Sequence, residues 1–261
     1  MWKEYLKKSE IIVGTDDKYV KTAINFALYH LRIMVKADDN RVGIGAKALS
    51  GEGYKGHSFR DTELFILLKK LDISKYKNSD EVLGIYNDYN TKQLNEYMVS
   101  KQSDTVMLLY LFRDLFDYET RKKNFVFYED KTLHDSSLSK STHAVLANEF
   151  KFEEMAYKLF KGAISVDLGP NMKSSDEGIH SASIGGIWAI YVLGFGGVNI
   201  DKNGLSINPR LPKEWSFLEF PLIYKGSSLR VRIEKDNKVS VEKLQGNSVE
   251  IYIKGEKQLI K

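Results

Sequence analysis

Apolar residues recur at helical spacing through most of the chain and alternate with polar residues in the last quarter, with the change near Val198. Val20, Ala23, Ile24, Ala27, Leu28 and Leu31 share one face of an expected helix over 17–34, started by Thr15-Asp-Asp-Lys18 and stopped at the turn Asp38-Asp-Asn40. A second apolar run, Leu64–Leu68, follows a polar stretch in which Asp61 or Thr62 caps the helix. Residues 70–99 read as connecting structure with one helix near Thr91–Val99. Lys101-Gln102 then opens an apolar helix through Val106–Phe112. Further helices are expected over Tyr118–Tyr128, through Ala144 to Phe150, over 151–166, and from Ile179 to Gly194 or Gly196. Beyond them Ser228–Ile233 and Val249–Ile253 alternate as strands, with hairpin turns at Lys235–Lys238 and Gly246-Asn247.

The expected fold is therefore mainly α: a helical body over 1–197, then a small antiparallel β unit over 198–261. Polar motifs stand repeatedly at helix starts, which fits a helical toroid whose loops converge on one rim.

Composition narrows the class. The 261 residues are 43% apolar, enough for a sizeable core. Without cysteine, disulfides and thiolate metal sites are excluded. With neither a signal segment nor an apolar run of membrane-spanning length, a soluble, cytoplasmic protein is expected, with no membrane partner. The net charge of +4 comes from scattered lysines, so nucleic acid is not an expected partner.

The candidate chemistry lies in four loops that feed helix starts. The stretch 50–63 packs Gly51, Gly53 and Gly56 around Glu52, His57, Asp61 and Glu63, too glycine-rich for a regular helix or strand. The others are Lys101-Gln102, His134–Ser139 and His180–Gly186. Helix N-termini offer free amides and partial positive charge, which suits phosphate. Ser136 and Ser137 would add hydroxyl donors, His134 and His180 further donors, Lys101 a full charge, and Gly185-Gly186 close backbone approach. Each also has a structural reading: the serines as N-caps, the histidines as satisfied core residues, the glycines as a helix-packing contact.

The stretch Lys47-Ala-Leu-Ser-Gly-Glu-Gly-Tyr-Lys-Gly-His-Ser-Phe-Arg-Asp-Thr-Glu-Leu-Phe65 resembles the signature loop of glycoside hydrolase family 65, the inverting phosphorylases of maltose, trehalose and kojibiose. Four later segments resemble the family in order: Lys101-Gln-Ser-Asp-Thr-Val106, His134-Asp-Ser-Ser-Leu-Ser139, Gly178–Trp188, and the pair Phe195–Val198 and Leu205–Pro212 at the exit into a C-terminal β domain. Residues 71–99 are most like the kojibiose and trehalose type. The resemblance implies an (α/α)6 toroid in which Asp61, Lys101 and Gln102 face the glucosyl ring, and Ser136, Ser137 and His180 hold phosphate. The implied reaction is inverting phosphorolysis of an α-glucosyl disaccharide to β-glucose 1-phosphate. Phosphate is the nucleophile, so one protein acid suffices and neither metal nor organic cofactor is needed.

The chain also departs from that pattern. The family's acid is the glutamate of a Gly-Pro-Asp-Glu-Tyr motif, and no such motif occurs here. Phe65–Leu68 runs almost directly into Leu71–Lys77, where the family has a long section of barrel, so the toroid is expected to be incomplete and activity impaired. The large N-terminal β-sandwich of the family is missing, and Arg60 stands where the family has a tryptophan. Open inner faces at Met107, Leu108 and Leu111 imply self-association, a homo-oligomer. The alternative is a non-catalytic carbohydrate- or phosphate-binding or interaction protein.

Overall fold

The computed structural model describes residues 10–34, 70–77, 84–94, 96–102, 104–169 and 178–261. The glycine-rich stretch 50–63, Asp61 included, and the run Leu64–Leu68 lie outside them.

A two-residue strand β1 (Ile12–Val13) precedes helix α1 (Lys18–Met34). Asp17 caps α1, its carboxylate accepting from the Tyr19 amide at 2.9 Å. Lys161 donates to the same carboxylate at 2.6 Å, a contact that holds Asp17 below the usual carboxylate range. α1 buries the predicted stripe of Val20, Ala23, Ile24, Ala27 and Leu28. Two one-turn helices, α2 (Ser74–Lys77) and α3 (Thr91–Leu94), sit in the connecting segment. They close a satellite core of Ile73, Ile85 and Leu133. Next come α4 (Asp104–Leu111), α5 (Tyr118–Glu129), α6 (Ser139–Glu149) and α7 (Glu153–Ile164). Asp117 caps α5 by accepting from the Thr120 amide and hydroxyl at 2.9 and 2.7 Å. Helix α8 (Ser181–Ala189) continues into a π-helical segment, Ile190–Phe195, which delivers the chain to the β unit.

Helix α6 lies at the centre of the helical body, buried without a break from His143 to Asn148. A polar and charged sequence such as Ser-Lys-Ser-Thr-His hides its burial from any periodicity argument. Close contacts fix its neighbours. Asn148 donates to the Gly194 carbonyl at 3.0 Å, and a Cβ on Gly186 would lie 2.3 Å from Ser141 Oγ. Residue numbers rise together along that contact, so α6 and α8 run parallel. α1 runs the other way, its Val20 carbonyl accepting from Tyr191 Oη at 2.9 Å.

The β unit is two four-stranded sheets, ordered β1-β4-β5-β6 and β2-β3-β7-β8. The strands are β2 (Val198–Asp201), β3 (Gly204–Ile207), β4 (Phe217–Tyr224), β5 (Ser227–Glu234), β6 (Val239–Gln245), β7 (Val249–Ile253) and β8 (Glu256–Ile260). Leu218, Phe220, Val231 and Ile233 of one sheet join Leu205, Ile207 and Ile251 of the other in one core. Two expectations need correction. The unit is not wholly antiparallel, because β3 pairs with β7 in parallel. Lys235–Lys238 does close the β5–β6 hairpin, the Glu234 amide donating to the Lys238 carbonyl at 2.9 Å. Gly246-Asn247 makes no hairpin but a corner between the sheets, where Gly246 has φ +97° and a Cβ would lie 2.7 Å from Ser227 Cα.

Trp215 ties the sheets to the helices. Its ring stacks on Tyr191 with centroids 5.2 Å apart and meets Phe195 and Phe160 edge-on at 4.9 and 5.5 Å.

Candidate functional site

The parallel packing of α6 and α8 puts both N-termini at one end of the body. Gly186 is five residues into α8 and Ser141 two into α6, so the two starts are offset by three residues, or ~4.5 Å along the axis. Neither first turn carries an acidic residue. Both first turns point toward the same rim, where the Asp167 carboxylate accepts from the His180 amide at 3.2 and 3.3 Å at the α8 end and Ser136 Oγ accepts from the Leu138 amide at 3.2 Å at the α6 end.

Three of the sequence-marked loops reach this rim. His180 is the N-cap position of α8, and Asp167 Oδ1 pairs with its Nδ1 at 2.7 Å and fixes the ring orientation. The antiparallel α1 brings its His30 end to the same side, close enough for the Asp167 charge to act on it. Asp135, Ser136 and Ser137 lead into α6. Ser136 donates from its hydroxyl to Gln102 Oε1. Lys101 and Gln102 do not open a helix as expected. They follow Ser100, which bridges to Thr132 while the Leu133 amide donates to its carbonyl at 2.8 Å. The structure thus joins Gln102 to Ser136, 34 residues apart. The Ser137 hydroxyl is half-buried and has no hydrogen-bond partner among the described residues. Lys101 is exposed beside this pair. The N-cap position of α6 is Leu138, whose side chain makes no cap bond, and Ser136 Oγ accepts from the Leu138 amide at 3.2 Å just ahead of the helix.

His134 points inward, and it leads to a group of residues that sequence reasoning missed. Buried Glu129, the last residue of α5, takes His134 Nε2–H at 3.1 Å, His143 Nδ1–H, and the Lys77 ammonium at 3.1 Å. His134 Nδ1 then accepts from Ser139 Oγ at 2.8 Å. Both ring nitrogens of His134 are therefore committed, so it is no ligand donor. Its ring clamps the end of α5 to the start of α6 across the loop that carries Ser136 and Ser137. The clamp holds His134 at φ +60°, a conformation uncommon for a non-glycine residue. Burial pushes Glu129 up, but the two imidazole hydrogen bonds overcome this and hold its carboxyl far below the usual range. Burial lowers His134 to about 4, against the raising effect of Glu129. At neutral pH the centre is a carboxylate facing a neutral His134 and an ammonium.

The donor atoms of Glu129, His134 and His143 lie within 4.8 Å of one another, a set whose chemistry suits zinc. The Lys77 ammonium on the same carboxylate opposes a cation there, and the imidazole protons already fill its lone pairs. We read the cluster as a buried ion-pair clamp.

The glycine pair separates cleanly. A Cβ on Gly186 would lie 2.3 and 2.5 Å from Ser141 Oγ and Cβ, whereas at Gly185 nothing lies within 4 Å. Gly186→Ala is expected to lower stability by about 1–3 kcal/mol through overpacking. Gly185→Ala is expected to be neutral or to stabilise by up to about 1 kcal/mol, since alanine favours a helix over glycine. Urea unfolding of the two variants checks both.

The sequence profile of the glycosyl hydrolase family 65 central catalytic domain matches residues 25–69 and 65–189, and that of the family's C-terminal domain matches 198–260. The chain belongs to glycosyl hydrolase family 65. A kojibiose phosphorylase of Halothermothrix orenii is 44% identical over 190 residues, which are 71% of this chain and 24% of that relative. An α,α-trehalose phosphorylase of Thermoanaerobacter brockii is 41% identical over 164 residues, 63% of this chain and 21% of its own. A solved structure, a putative kojibiose phosphorylase from human microbiome, superposes with a TM-score of 0.67 at 31% identity, covering 74% of this chain and 26% of that one. This family 65 chain thus spans about a quarter of the length of the curated relatives it matches. No described helix is long and apolar enough to cross a membrane.

Proposed function

We propose that this chain carries the phosphate side of a family 65 α-glucoside phosphorylase site and binds inorganic phosphate at the rim shared by α6 and α8. The observation that carries this is the parallel packing through Gly186 and Ser141, which aims two helix N-termini at one end. In this reading the Ser137 hydroxyl, the backbone amides of both first turns and His180 hold phosphate. Ser136 holds Gln102, and Gln102, Lys101 and Asp61 address the glucosyl group. The helical body is part of an (α/α)6-type toroid over 1–197, and 198–261 form the C-terminal domain. The reaction served is attack of phosphate on the anomeric carbon of a kojibiose- or trehalose-type disaccharide, releasing β-glucose 1-phosphate with inversion.

The leaving oxygen needs a proton, and Glu129 does not supply it. It is buried and ionised at neutral pH, with its lone pairs engaged by two imidazoles and Lys77. Substrate turnover by the chain alone is therefore impaired. The test is phosphate titration of variants in a calorimeter. Ser137→Ala removes a hydroxyl donor to a charged ligand, worth about 1.5–3 kcal/mol, so it is expected to weaken phosphate binding by about ten- to a hundredfold or more, and His180→Ala, which removes the ring that Asp167 orients at this rim, is expected to weaken it as well. Unchanged affinity in both variants would overturn the assignment.

A further inference from the structure

Lys140, the second residue of α6, sits where its charge is least favoured. A cation in the first turn of a helix opposes the partial positive charge of the free amides. The residue is half-buried, and burial lowers its pKa against the raising effect of the Asp135 charge. Its ammonium forms no hydrogen bond or ion pair among the described residues. Lys77 and Lys161, also half-buried on helices, each meet a carboxylate. The stem of Lys140 is seated by what α7 leaves out. A Cβ on Gly162 would lie 3.0, 3.4 and 3.6 Å from Lys140 Cδ, Cε and Nζ, so the stem runs lengthwise over that glycine. A lysine near a helix C-terminus often serves the last carbonyls. Here Ser165 Oγ already donates to the Lys161 and Gly162 carbonyls at 3.1 and 3.0 Å. Lys140 thus reaches from the helix start that follows Ser136 and Ser137 to the helix end that precedes Asp167, the carboxylate that orients His180.

A partly desolvated, unpaired cation beside a positive helix end costs free energy in the free chain, and an anion held at the rim relieves that cost. A local rule broken in this way is what a binding site leaves in a sequence. We propose that Lys140 is a phosphate-binding residue of this chain, supplying a full positive charge beside the Ser137 hydroxyl, the helix amides and the His180 ring. The assignment rests on the phosphate-rim reading and adds to it the charge that balances the ligand. Coulomb attraction grows with ligand charge, so Lys140 also makes the rim prefer the phosphate dianion to a monoanion such as chloride.

The probe is inorganic phosphate, titrated in a calorimeter into the parent chain and into Lys140→Met, with chloride holding the ionic strength constant. Methionine keeps an apolar stem over Gly162 and removes the charge. The variant is expected to bind phosphate about ten- to a hundredfold more weakly. Its melt without phosphate is expected to stand at or above the parent's, because the unrelieved cation is gone. A lysine with a merely structural role would not move affinity down while stability holds or rises. A second measurement uses the parent alone. Acylation of Lys140 by an N-hydroxysuccinimide ester, followed by mass spectrometry of its peptide, is expected to slow in saturating phosphate and not in chloride. Unchanged phosphate affinity in Lys140→Met would overturn the assignment, and the rim survives that result if Ser137→Ala still weakens binding. A parent chain that binds no phosphate overturns the rim and the assignment together. A variant that melts well below the parent, or acylation that phosphate leaves as it was, makes Lys140 a structural residue and overturns the assignment alone.

Discussion

Glu129→Ala will destabilise the chain by about 3–5 kcal/mol, because it strands two buried imidazoles and an ammonium without their common partner. Domains of this size lose roughly 2–4 °C of melting temperature per kcal/mol, so a drop of roughly 10 °C is expected in calorimetry. Glu129→Gln is expected to fall short of full rescue, since an amide nitrogen would face a donor in one of the three contacts. The same centre makes the parent chain acid-sensitive. Burial sets His134 in the folded protein near 4, below the ordinary imidazole value, so the unfolded chain binds the proton more tightly. The stability it contributes is complete above about pH 6.5 and is lost as the pH falls toward about 4, up to ~3 kcal/mol if His134 acts alone. Glu129, lowered on balance by its two imidazole hydrogen bonds, adds a loss with the same sign below about pH 4.5. Urea unfolding between pH 7.5 and 4.5 should show stability falling steadily. In Glu129→Ala that slope should change, whereas a flat profile in the parent would contradict the clamp.

Phosphorolysis of kojibiose or trehalose by the chain alone is expected to run about a hundred- to ten-thousandfold below an ordinary phosphorylase. That is the range for losing a general acid. The sequence lacks the family's Gly-Pro-Asp-Glu-Tyr acid motif, and Glu129, a buried carboxylate beside the proposed phosphate rim, is held ionised. Misplaced sugar contacts would deepen the deficit, because orientation contributes separately from proton transfer. Release of glucose 1-phosphate at ordinary phosphorylase rates would contradict this and would require another acid in the chain.

Helices with a clean period were legible in the sequence. The expected 17–34, 118–128 and 151–166 appear as Lys18–Met34, Tyr118–Glu129 and Glu153–Ile164, because each buries a single stripe against one side of the body. Local turn chemistry read correctly at Lys235–Lys238 and incorrectly at Gly246-Asn247. Both turns need left-handed residues, and only the packing of two sheets decides whether the next strand returns or crosses. The parallel β3–β7 pair was hidden for the same reason, since its strands lie more than 40 residues apart in the chain. Lys101-Gln102 and 134–138 are loops and His180–Gly186 is the start of α8, yet the link between Gln102 and Ser136 depends on a backbone bridge that no periodicity encodes. Glu129 was missed because its partners His134, His143 and Lys77 come from three other segments, and no local spacing marks them. The inner-face expectation was partly met: Leu108 and Leu111 are exposed, whereas Met107 is half-buried.

The measurement that reaches the central claim most directly is a thermal melt of the isolated chain, alone and with millimolar inorganic phosphate plus glucose, at matched ionic strength with chloride. A ligand that binds only the folded state raises stability by RT ln(1 + [L]/Kd). A cooperative melt that moves upward with phosphate and not with chloride is the predicted result. A cooperative melt that phosphate leaves in place would contradict the phosphate rim.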